Sequence, residues 1–462
     1  MLAAQLVKNG KRPYLDFLFP QTALNVYVVA AWMRVFGDSW RAIHALASIL
    51  TATAVFLTAG FLLRKLPVEG WRLPAAITAA LVTGFNVMVF EYGTIGQAYG
   101  FCLLSIVVAY RFAVLTPDRP GAIWPALAGC GAAAAAASSL LTAPVAPVLL
   151  VWIVLQNRAG NRWLKAGAFV AGAILPLLPL LVLFVWVPRQ VRFDIFDYNF
   201  FYRQMDWEGA TQHNLEIYFS WINSSQALLL GLLALAGLLF IARSRWEQSV
   251  RSAFYLCGWL ALALILHIST ARPTFERYYL FTVPFLAILA AAGLYGLTSR
   301  FFETARAWPS VAVLVILVSL GLAKALYDRR ENMKWSDLEL LANKVEQVTA
   351  GQDELFGEEF MYFLLKRQPP SGMECEDSHK LVSLAPDVAA SLHVLPWPAL
   401  QQQVSSGKFH TVETCYDDDE KIEALKLHER YSKSAEVSGC SVYWDWTSGK
   451  DGHKNLSRMG QR

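Results

Sequence analysis

The hydrophobic positions of this chain form long, nearly unbroken runs instead of the alternating or one-sided patterns of a soluble protein. Ten runs have about the length that a helix needs to cross a bilayer, at 40–63, 73–90, 98–115, 122–137, 140–156, 163–187, 225–242, 250–269, 279–297 and 308–327. The Ala-rich pair 122–137 and 140–156 carries Pro144 and Pro147, which allow two close-packed helices or one broken helix. The pattern therefore predicts about ten membrane spans.

One further apolar segment, 21–36, is too short to span, because its residues would reach ~24 Å as a helix against a hydrocarbon core of ~30 Å. If this segment lies in the interface and 40–63 is the first span, twelve Lys and Arg residues fall in the short loops on one side, 64–72, 116–121, 156–165, 242–251 and 298–307. The opposite loops hold five. The positive-inside rule then predicts that the first set is cytoplasmic and that the N-terminal loop and C-terminal tail are not.

Composition supports a membrane protein over a soluble one. Of the 462 residues, 55% are hydrophobic and only 16% are charged, and the mean hydropathy is +0.36. The net charge of +4 is too small to indicate a nucleic-acid partner. We expect an integral protein of the inner or plasma membrane that contacts membrane lipids and binds no nucleic acid.

The composition changes abruptly at Asp328, where polar residues begin. The pattern after it predicts helices at 336–349, 358–366 and 397–406 and strands at 354–356, 381–384, 408–415 and 440–446. The chain then divides into an external loop with an interfacial helix (1–39), a transmembrane domain (40–327), an external α/β domain (328–446) and a disordered end (447–462). The predicted fold class is a multi-pass α-helical membrane protein with a small C-terminal α/β soluble domain.

The tail also contains three of the six cysteines, an odd number, so at most one disulfide forms among Cys375, Cys415 and Cys440. If the predicted strands 408–415 and 440–446 are neighbours, Cys415 and Cys440 would pair. Spacing alone does not fix the connectivity. A disulfide in this part of the chain would agree with a tail on the non-cytoplasmic side.

Polar residues suited to chemistry concentrate in the loops that the topology places outside the cytoplasm. The N-terminal loop has a carboxylate, Asp16, and is bent by Pro13 and Pro20. A carboxylate at the membrane surface is costly without a partner or a task. Asp16 is therefore a candidate catalytic or substrate-orienting residue, and the simpler alternative is a turn in which it pairs with Lys11 or Arg12.

The other external loops add further candidates. Glu91 directly follows an apolar run and is a second candidate catalytic acid, or else a simple helix-end carboxylate. Arg277 precedes an apolar run interrupted by Pro284, and an arginine there would hold a phosphate by paired hydrogen bonds or would only snorkel to the boundary. The candidates for a substrate cavity are Tyr14, Gln97, Tyr99 and His267. The sequence has no zinc-type Cys/His spacing, phosphate-binding glycine loop or nucleophile elbow.

Two of these stretches resemble motifs of a known superfold. Gly10-x-x-Pro13-Tyr14-x-Asp16-Phe17, with Pro20-Gln21 and a helix ending in Phe36-Gly37-Asp38-Ser39 after it, is similar to the end of the first external loop of GT-C membrane glycosyltransferases. Arg272-Pro273 to Arg277-Tyr278-Tyr279-Leu280, followed by Pro284, resembles the Arg-Tyr-(x)n-Pro element of the same proteins. The resemblance covers most of residues 1–327. It is to bacterial members related to glycosyltransferase family 39, the dolichyl-phosphate-mannose-protein mannosyltransferases and the lipid A aminoarabinose transferases.

The resemblance implies an inverting transferase that moves a sugar from a polyprenyl phosphate to a lipid, glycan or protein acceptor of the cell envelope. A carboxylate, Asp16 or Glu91, would take the acceptor proton, and Arg277 with Tyr278 and Arg272 would hold the lipid phosphate. Some members place a divalent cation near the phosphate, so a divalent metal ion is an expectation whose ligands the sequence does not identify. No cofactor is otherwise implied.

The chain departs from this family in one respect. The family's first membrane helix and the acidic residue after it are missing, and Met1-Leu2-Ala3-Ala4 would lie just downstream of that acid. This predicts an N-terminally truncated sequence with impaired activity. The alternative function is a non-catalytic relative or a carrier that binds a lipid-linked sugar. Against a carrier, most charges lie in loops and not near the middle of the apolar runs.

Overall fold

The computed structural model of the chain describes residues 1–157, 161–203, 209–299, 307–351, 353–381, 383–415 and 419–447. Its contacts divide into two compact units. The tail unit comprises Met1–Pro20, Val187–Tyr198 and the chain from Glu331 onward, and the membrane unit comprises Gln21–Trp186 and Asn199–Arg330. The predicted disordered end lies outside the described residues from 448 onward.

As far as residue 330 the described chain is helical. Its α-helices are α1 (Leu2–Lys8), α2 (Leu24–Phe36), α3 (Trp40–Lys65), α4 (Glu69–Gly84), α5 (Val87–Tyr92), α6 (Tyr99–Leu115), α7 (Ile123–Ala136), α8 (Val145–Gln156), α9 (Arg162–Trp186), α10 (Pro188–Arg192), α11 (Ala210–Asn223), α12 (Ser225–Arg243), α13 (Gln248–Ser269), α14 (Val283–Thr298) and α15 (Ala307–Asp328). A π-helical segment, Phe193–Tyr202, follows α10, and a 3₁₀ segment, Glu276–Thr282, leads into α14.

Helices occupy each of the ten apolar runs that the sequence predicts to span. Among the described residues, six stretches are long and apolar enough to cross a membrane: α3, α9, α12, α13, α15 and the continuous stretch Glu276–Thr298. The chain is therefore an integral membrane protein, as its composition predicts. Helices α6, α7 and α8 are apolar but shorter, so the number of ten spans stays a prediction.

The Ala-rich region forms two helices, α7 and α8, and not one broken helix. Small residues let α7 approach α9 closely: a Cβ added at Gly129 would lie 1.9 Å from the Phe169 carbonyl oxygen, and one at Gly172 would lie 1.9 Å from that of Ala126. Such backbone contact through small residues is how helices associate where lipid removes the usual hydrophobic drive.

The same device joins α12 to α14. A Cβ at Gly237 would lie 2.0 Å from the Leu289 carbonyl oxygen, and a Cβ at Gly293 would lie 2.0 Å from that of Leu233. The two glycines thus open matching gaps on facing helices. Side chains larger than hydrogen at either position would force the helix axes apart.

The apolar run 73–90 is divided in two, where the sequence predicts one continuous helix. Helix α4 ends at Gly84 and α5 begins at Val87, with Asn86 as its N-cap. The Asn86 side-chain oxygen accepts hydrogen bonds from the backbone amides of Met88 (3.1 Å) and Val89 (3.3 Å). A capping side chain competes with continuation of the helix, which explains the break.

In the tail unit, the chain from residue 331 forms α16 (Trp335–Val348), β1 (Leu355–Phe356), α17 (Glu359–Leu365), α18 (Pro386–Ser391), α19 (Trp397–Ser405), β2 (Thr411–Cys415), α20 (Asp419–Leu425), α21 (Leu427–Arg430), β3 (Tyr431–Val437) and β4 (Cys440–Trp446). The four strands make one sheet in the order β1-β2-β4-β3. Strands β1 and β2 are parallel, and the other two pairings are antiparallel. The small α/β fold of the tail is confirmed.

Cys415 and Cys440 face each other across β2 and β4 and form a disulfide with a Cα–Cα distance of 4.1 Å. This pairing closes a loop of 25 residues. Cys375 is not part of a disulfide. The geometry thus selects one of the three pairings that the cysteine count leaves open.

The strands of the tail differ from the sequence prediction in two places. Strand β3 was not predicted, because its sequence Tyr431–Val437 is largely polar and exposed and lacks a hydrophobic alternation. No strand is present at 381 or 383–384, and residue 382 lies outside the described part. Phe409 and Val412 instead fill the core beside β1.

Candidate active site

The predicted site residues divide between the two units. The membrane unit contains Glu91, Gln97, Tyr99, His267, Arg272, Arg277 and Tyr278, and the tail unit contains Tyr14 and Asp16. Each group has a structure of its own.

Arg277 lies in the 3₁₀ segment before α14, and aromatic rings surround it. The centre of its guanidinium is 4.4 Å from the centroid of the Phe275 ring and 5.8 Å from that of Tyr278. The guanidinium also contacts the Tyr99 hydroxyl. Its Nε is buried without a hydrogen-bond partner, and among the described residues no carboxylate pairs with it. Arg277 therefore retains capacity to bind an anion.

A second arginine, Arg203, lies against the same ring. Its guanidinium centre is 5.7 Å from the Phe275 centroid, and its Nη2 donates a hydrogen bond to the Tyr278 hydroxyl at 3.3 Å. Arg203 therefore polarises the Tyr278 hydroxyl, and Arg277 lies over the Tyr278 ring. In the sequence, Arg203 is one of several charged residues of a long loop, with no spacing that distinguishes it.

Helix α11 fixes the loop that precedes Arg277. The Asn214 side chain donates to the Ala271 carbonyl and accepts from the Thr274 amide, both at 2.8 Å. His213 Nε2 lies 3.0 Å from the Thr274 carbonyl oxygen. The loop is therefore held by buried polar bonds that a sequence pattern does not reveal, and its rigidity orients Arg277.

Glu91 is the last but one residue of α5 and pairs with Arg329, which follows α15. One carboxylate oxygen accepts from Arg329, and the other, Oε1, is buried with no hydrogen-bond partner. Burial raises the pKa of the Glu91 carboxyl above its ordinary value, and Arg329 offsets only part of that rise. An acid with one open oxygen and a raised pKa is suited to accept a proton.

The other membrane-unit candidates have varied surroundings. Tyr99 is almost fully buried at the start of α6, and its ring contacts those of Tyr92 and Phe281. Gln97 is exposed, as is Arg272. His267 Nε2 lies 3.1 Å from the Leu140 carbonyl oxygen. Only Tyr99 among these is brought to Arg277 by a contact within the described residues; the roles of the others stay predictions.

Asp16 is held by Arg12 on the same loop. Arg12 donates to both carboxylate oxygens from Nε (3.0 Å) and Nη2 (3.2 Å), and its backbone amide adds a third bond at 2.7 Å. These hydrogen bonds from Arg12 lower the pKa of the Asp16 carboxyl. The pairing is the simpler of the two roles that the sequence allows for Asp16, and its catalytic role stays a prediction.

The rest of the loop supports this turn. Tyr14 has a left-handed backbone conformation (φ 67°) and a fully buried side chain, with its ring centroid 6.3 Å from that of Phe19. Asp194, itself buried, accepts a hydrogen bond from the Phe19 amide at 2.7 Å. The loop that carries Asp16 is thus fixed by its own core and by a distant carboxylate that the sequence did not single out.

One group of residues has the donor atoms of a metal site but does not fit a metal. Glu413, Cys415 and Cys440 bring an oxygen and two sulfurs within 4.8 Å of one another. The two sulfurs are joined as a disulfide, and metal ligation by cysteine needs the thiolate. We therefore assign no metal to this group.

Comparison with known proteins identifies the fold. The chain is similar to ArnT from Cupriavidus metallidurans bound to undecaprenyl phosphate, with a TM-score of 0.67 and 15% identity over 97% of this chain and 93% of that one. For the apo form of the same protein the TM-score is 0.65 and the identity 16%, over 96% and 91%. The oligosaccharyltransferase of Archaeoglobus fulgidus, in complex with Zn and sulfate, gives a TM-score of 0.52 and 14% identity, over 92% of this chain and 64% of that one.

No family model matches the sequence, and no curated protein matches it significantly. The chain nevertheless has the fold of the GT-C membrane glycosyltransferases. The resemblance drawn from two short motifs is confirmed at the level of the fold.

Proposed function

We propose that this protein is a membrane glycosyltransferase that moves a sugar from a polyprenyl-phosphate donor to an envelope acceptor, a lipid, glycan or protein, on the non-cytoplasmic face. The observation that carries the proposal is the state of Arg277. Its guanidinium lies on the rings of Phe275 and Tyr278, has a buried Nε without a hydrogen-bond partner, and has no carboxylate partner among the described residues.

Such an arginine suits the leaving group of the reaction. When the sugar leaves the donor, negative charge develops on the lipid phosphate, and preorganised donors at that point lower the barrier. Arg277 would bind a phosphate oxygen, and Tyr278, to which Arg203 donates, lies beside it. The similarity to a protein solved with undecaprenyl phosphate supports this class of ligand.

Of the two candidate acids, we assign proton transfer to Glu91. Its Oε1, which has no hydrogen-bond partner, and its raised pKa make it the better base. Asp16 has a lowered pKa and both oxygens bound by Arg12, so it is a weaker base. The substrate-orienting role of Asp16 stays a prediction.

A second candidate function is a non-catalytic protein that binds a lipid-linked sugar. The observation that favours it is that both acids are already paired with arginines, Glu91 with Arg329 and Asp16 with Arg12. Such a protein would keep the phosphate site and need no base.

The two functions are separated by one experiment on the full chain in lipid nanodiscs. The protein is incubated with radiolabelled polyprenyl-phosphate sugars and an envelope extract, and both bound donor and transferred label are counted. The glycosyltransferase proposal expects transfer that is lost in Glu91→Gln while donor binding is kept. Donor binding without any transfer would favour the second function, and the absence of both would contradict the phosphate site itself.

A further inference from the structure

The break between α4 and α5 exposes backbone groups that a continuous helix would satisfy. In and near hydrocarbon such groups need partners within the protein. The Asn86 side chain is the partner of two of these groups, the amides of Met88 and Val89, which it caps. The amide of Val87 and the carbonyl of Phe85 are left at the break itself.

Both are satisfied by one side chain from another helix. Gln226, in the first turn of α12, accepts from the Val87 amide at 3.1 Å and donates to the Phe85 carbonyl at 3.1 Å. Its second amide hydrogen goes to the Val318 carbonyl of α15 at 2.9 Å. One glutamine therefore uses both of its amide hydrogens and its carbonyl oxygen to join the start of α5, the start of α12 and the middle of α15.

Helix α15 also holds the other end of α5. Arg329, which directly follows α15, pairs with Glu91 near the C-terminus of α5. The six residues of α5 are thus attached to the same helix at both ends, by Gln226 at the first residue and by Arg329 at the fifth. We infer that Gln226 is a positioning residue: it fixes α5 and so sets the place of the Glu91 carboxylate.

The contact of Gln226 with α15 offers an unusually selective test. A Cβ at Gly321 would lie 2.9 Å from Cγ and 3.0 Å from Nε2 of Gln226, so Gly321→Ala displaces this side chain. In other respects alanine stabilises a helix more than glycine does, so the substitution alone should not weaken α15. Gly231→Ala, on α12 like Gln226, is the matched control, because nothing lies within 4 Å of its added Cβ.

The structural arm measures hydrogen exchange of the α5 amides in the full chain in nanodiscs. Gln226→Leu and Gly321→Ala should speed exchange in 87–92 on the order of tenfold, the effect of losing about one net hydrogen bond, while Gly231→Ala should not. Unchanged exchange in α5 of a folded Gln226→Leu protein would overturn the inference. Should Gln226→Leu not fold, Gly321→Ala decides alone.

The functional arm rests on the proposed function. Transfer kcat should fall on the order of tenfold in both variants, while the Kd for undecaprenyl phosphate stays within about twofold, because Arg277 is not on α5. Weakening of phosphate binding in step with kcat would mean that Gln226 holds the whole site and not Glu91, which contradicts the inference. If the unaltered protein transfers nothing, the proposed function fails, and the exchange result still stands or falls on its own.

Discussion

Two arginines of the chain, Arg277 in the membrane unit and Arg12 in the tail unit, show opposite states. Arg12 is satisfied by a nearby carboxylate, with three hydrogen bonds between the residue and Asp16. Arg277 lies on aromatic rings, and its buried Nε has no hydrogen-bond partner. An incoming phosphate would have to compete with Asp16 for Arg12, but it would meet no such competitor at Arg277. The difference supports our proposal that Arg277 binds the anion and that Arg12 supports its own loop.

The largest expected effect is at Arg277. Arg277→Ala should lower kcat/KM for sugar transfer about a hundredfold or more, because the developing phosphate charge loses its main donor. Arg277→Lys keeps the charge but not the planar fork that contacts the rings and binds two oxygens, and it should recover only part of the loss. The measurement is initial transfer rate against donor concentration.

Arg12→Ala is the counterpart in the tail unit. It should lower kcat/KM far less than Arg277→Ala, since Arg12 supports a turn. Equal losses in the two variants would break the comparison between the two arginines.

The next effect concerns folding of the membrane unit. Gly237→Ala should prevent close approach of α12 and α14 and cost about 1–3 kcal/mol or more through overpacking against the backbone at Leu289. The fraction of monodisperse protein after extraction and its thermal unfolding midpoint report the loss. Gly231→Ala on the same helix, where a Cβ meets nothing within 4 Å, should behave as the unaltered protein; an equal loss there would refute the packing argument.

The disulfide should matter to the tail unit alone. Replacing Cys415 and Cys440 together by Ser removes a constraint on a 25-residue loop, worth roughly 3 kcal/mol. We expect proteolysis within 411–446 to become faster while the fragments from the membrane unit stay protected. Simultaneous loss of protection in both units would show that they do not unfold independently. Cys375→Ser serves as the control for cysteine replacement.

The smallest effect is a shift in pH dependence. A base must be deprotonated, so activity is lost as pH falls through its pKa. With Glu91 as the base, the acid limb should lie above the ordinary carboxyl value of ~4.3, because burial raises its pKa. Arg329→Met removes the cation that offsets this rise and should move the limb to still higher pH.

Arg12→Met provides the comparison for Asp16, whose pKa is lowered by Arg12. This change would raise the pKa of Asp16 and should leave the acid limb of kcat where it is. If the acid limb of kcat shifted in Arg12→Met but not in Arg329→Met, the base would be Asp16 and not Glu91.

Sequence reasoning reached the fold because long apolar runs and two ordered motifs survive as local patterns. It did not predict the helix break at Phe85 and Asn86. A single Asn within an apolar run is only a weak signal against a helix, and its capping bonds are seen only in the structure. Nor did it predict the roles of Arg203, Asn214, Gln226 and Arg329. Each acts on a residue 57–238 positions away in the chain, and spacing carries no information on such contacts.

The candidate acids show the same limit. The position of Glu91 after an apolar run, and that of Asp16 in a proline-bent loop at the membrane surface, identified both as candidate acids. Which arginine pairs with each, and which oxygen stays open, depends on tertiary structure. The division of roles between a raised and a lowered pKa therefore emerged only from the contacts.

Binding of undecaprenyl phosphate compared with undecaprenol, which has the same tail without the phosphate, tests the central claim most directly. Native mass spectrometry of the full chain should show strong preference for the phosphate, on the order of a hundredfold, and that preference should collapse in Arg277→Ala but persist in Arg12→Ala. Equal binding of the two lipids, or a preference that Arg277→Ala leaves intact, would contradict the account.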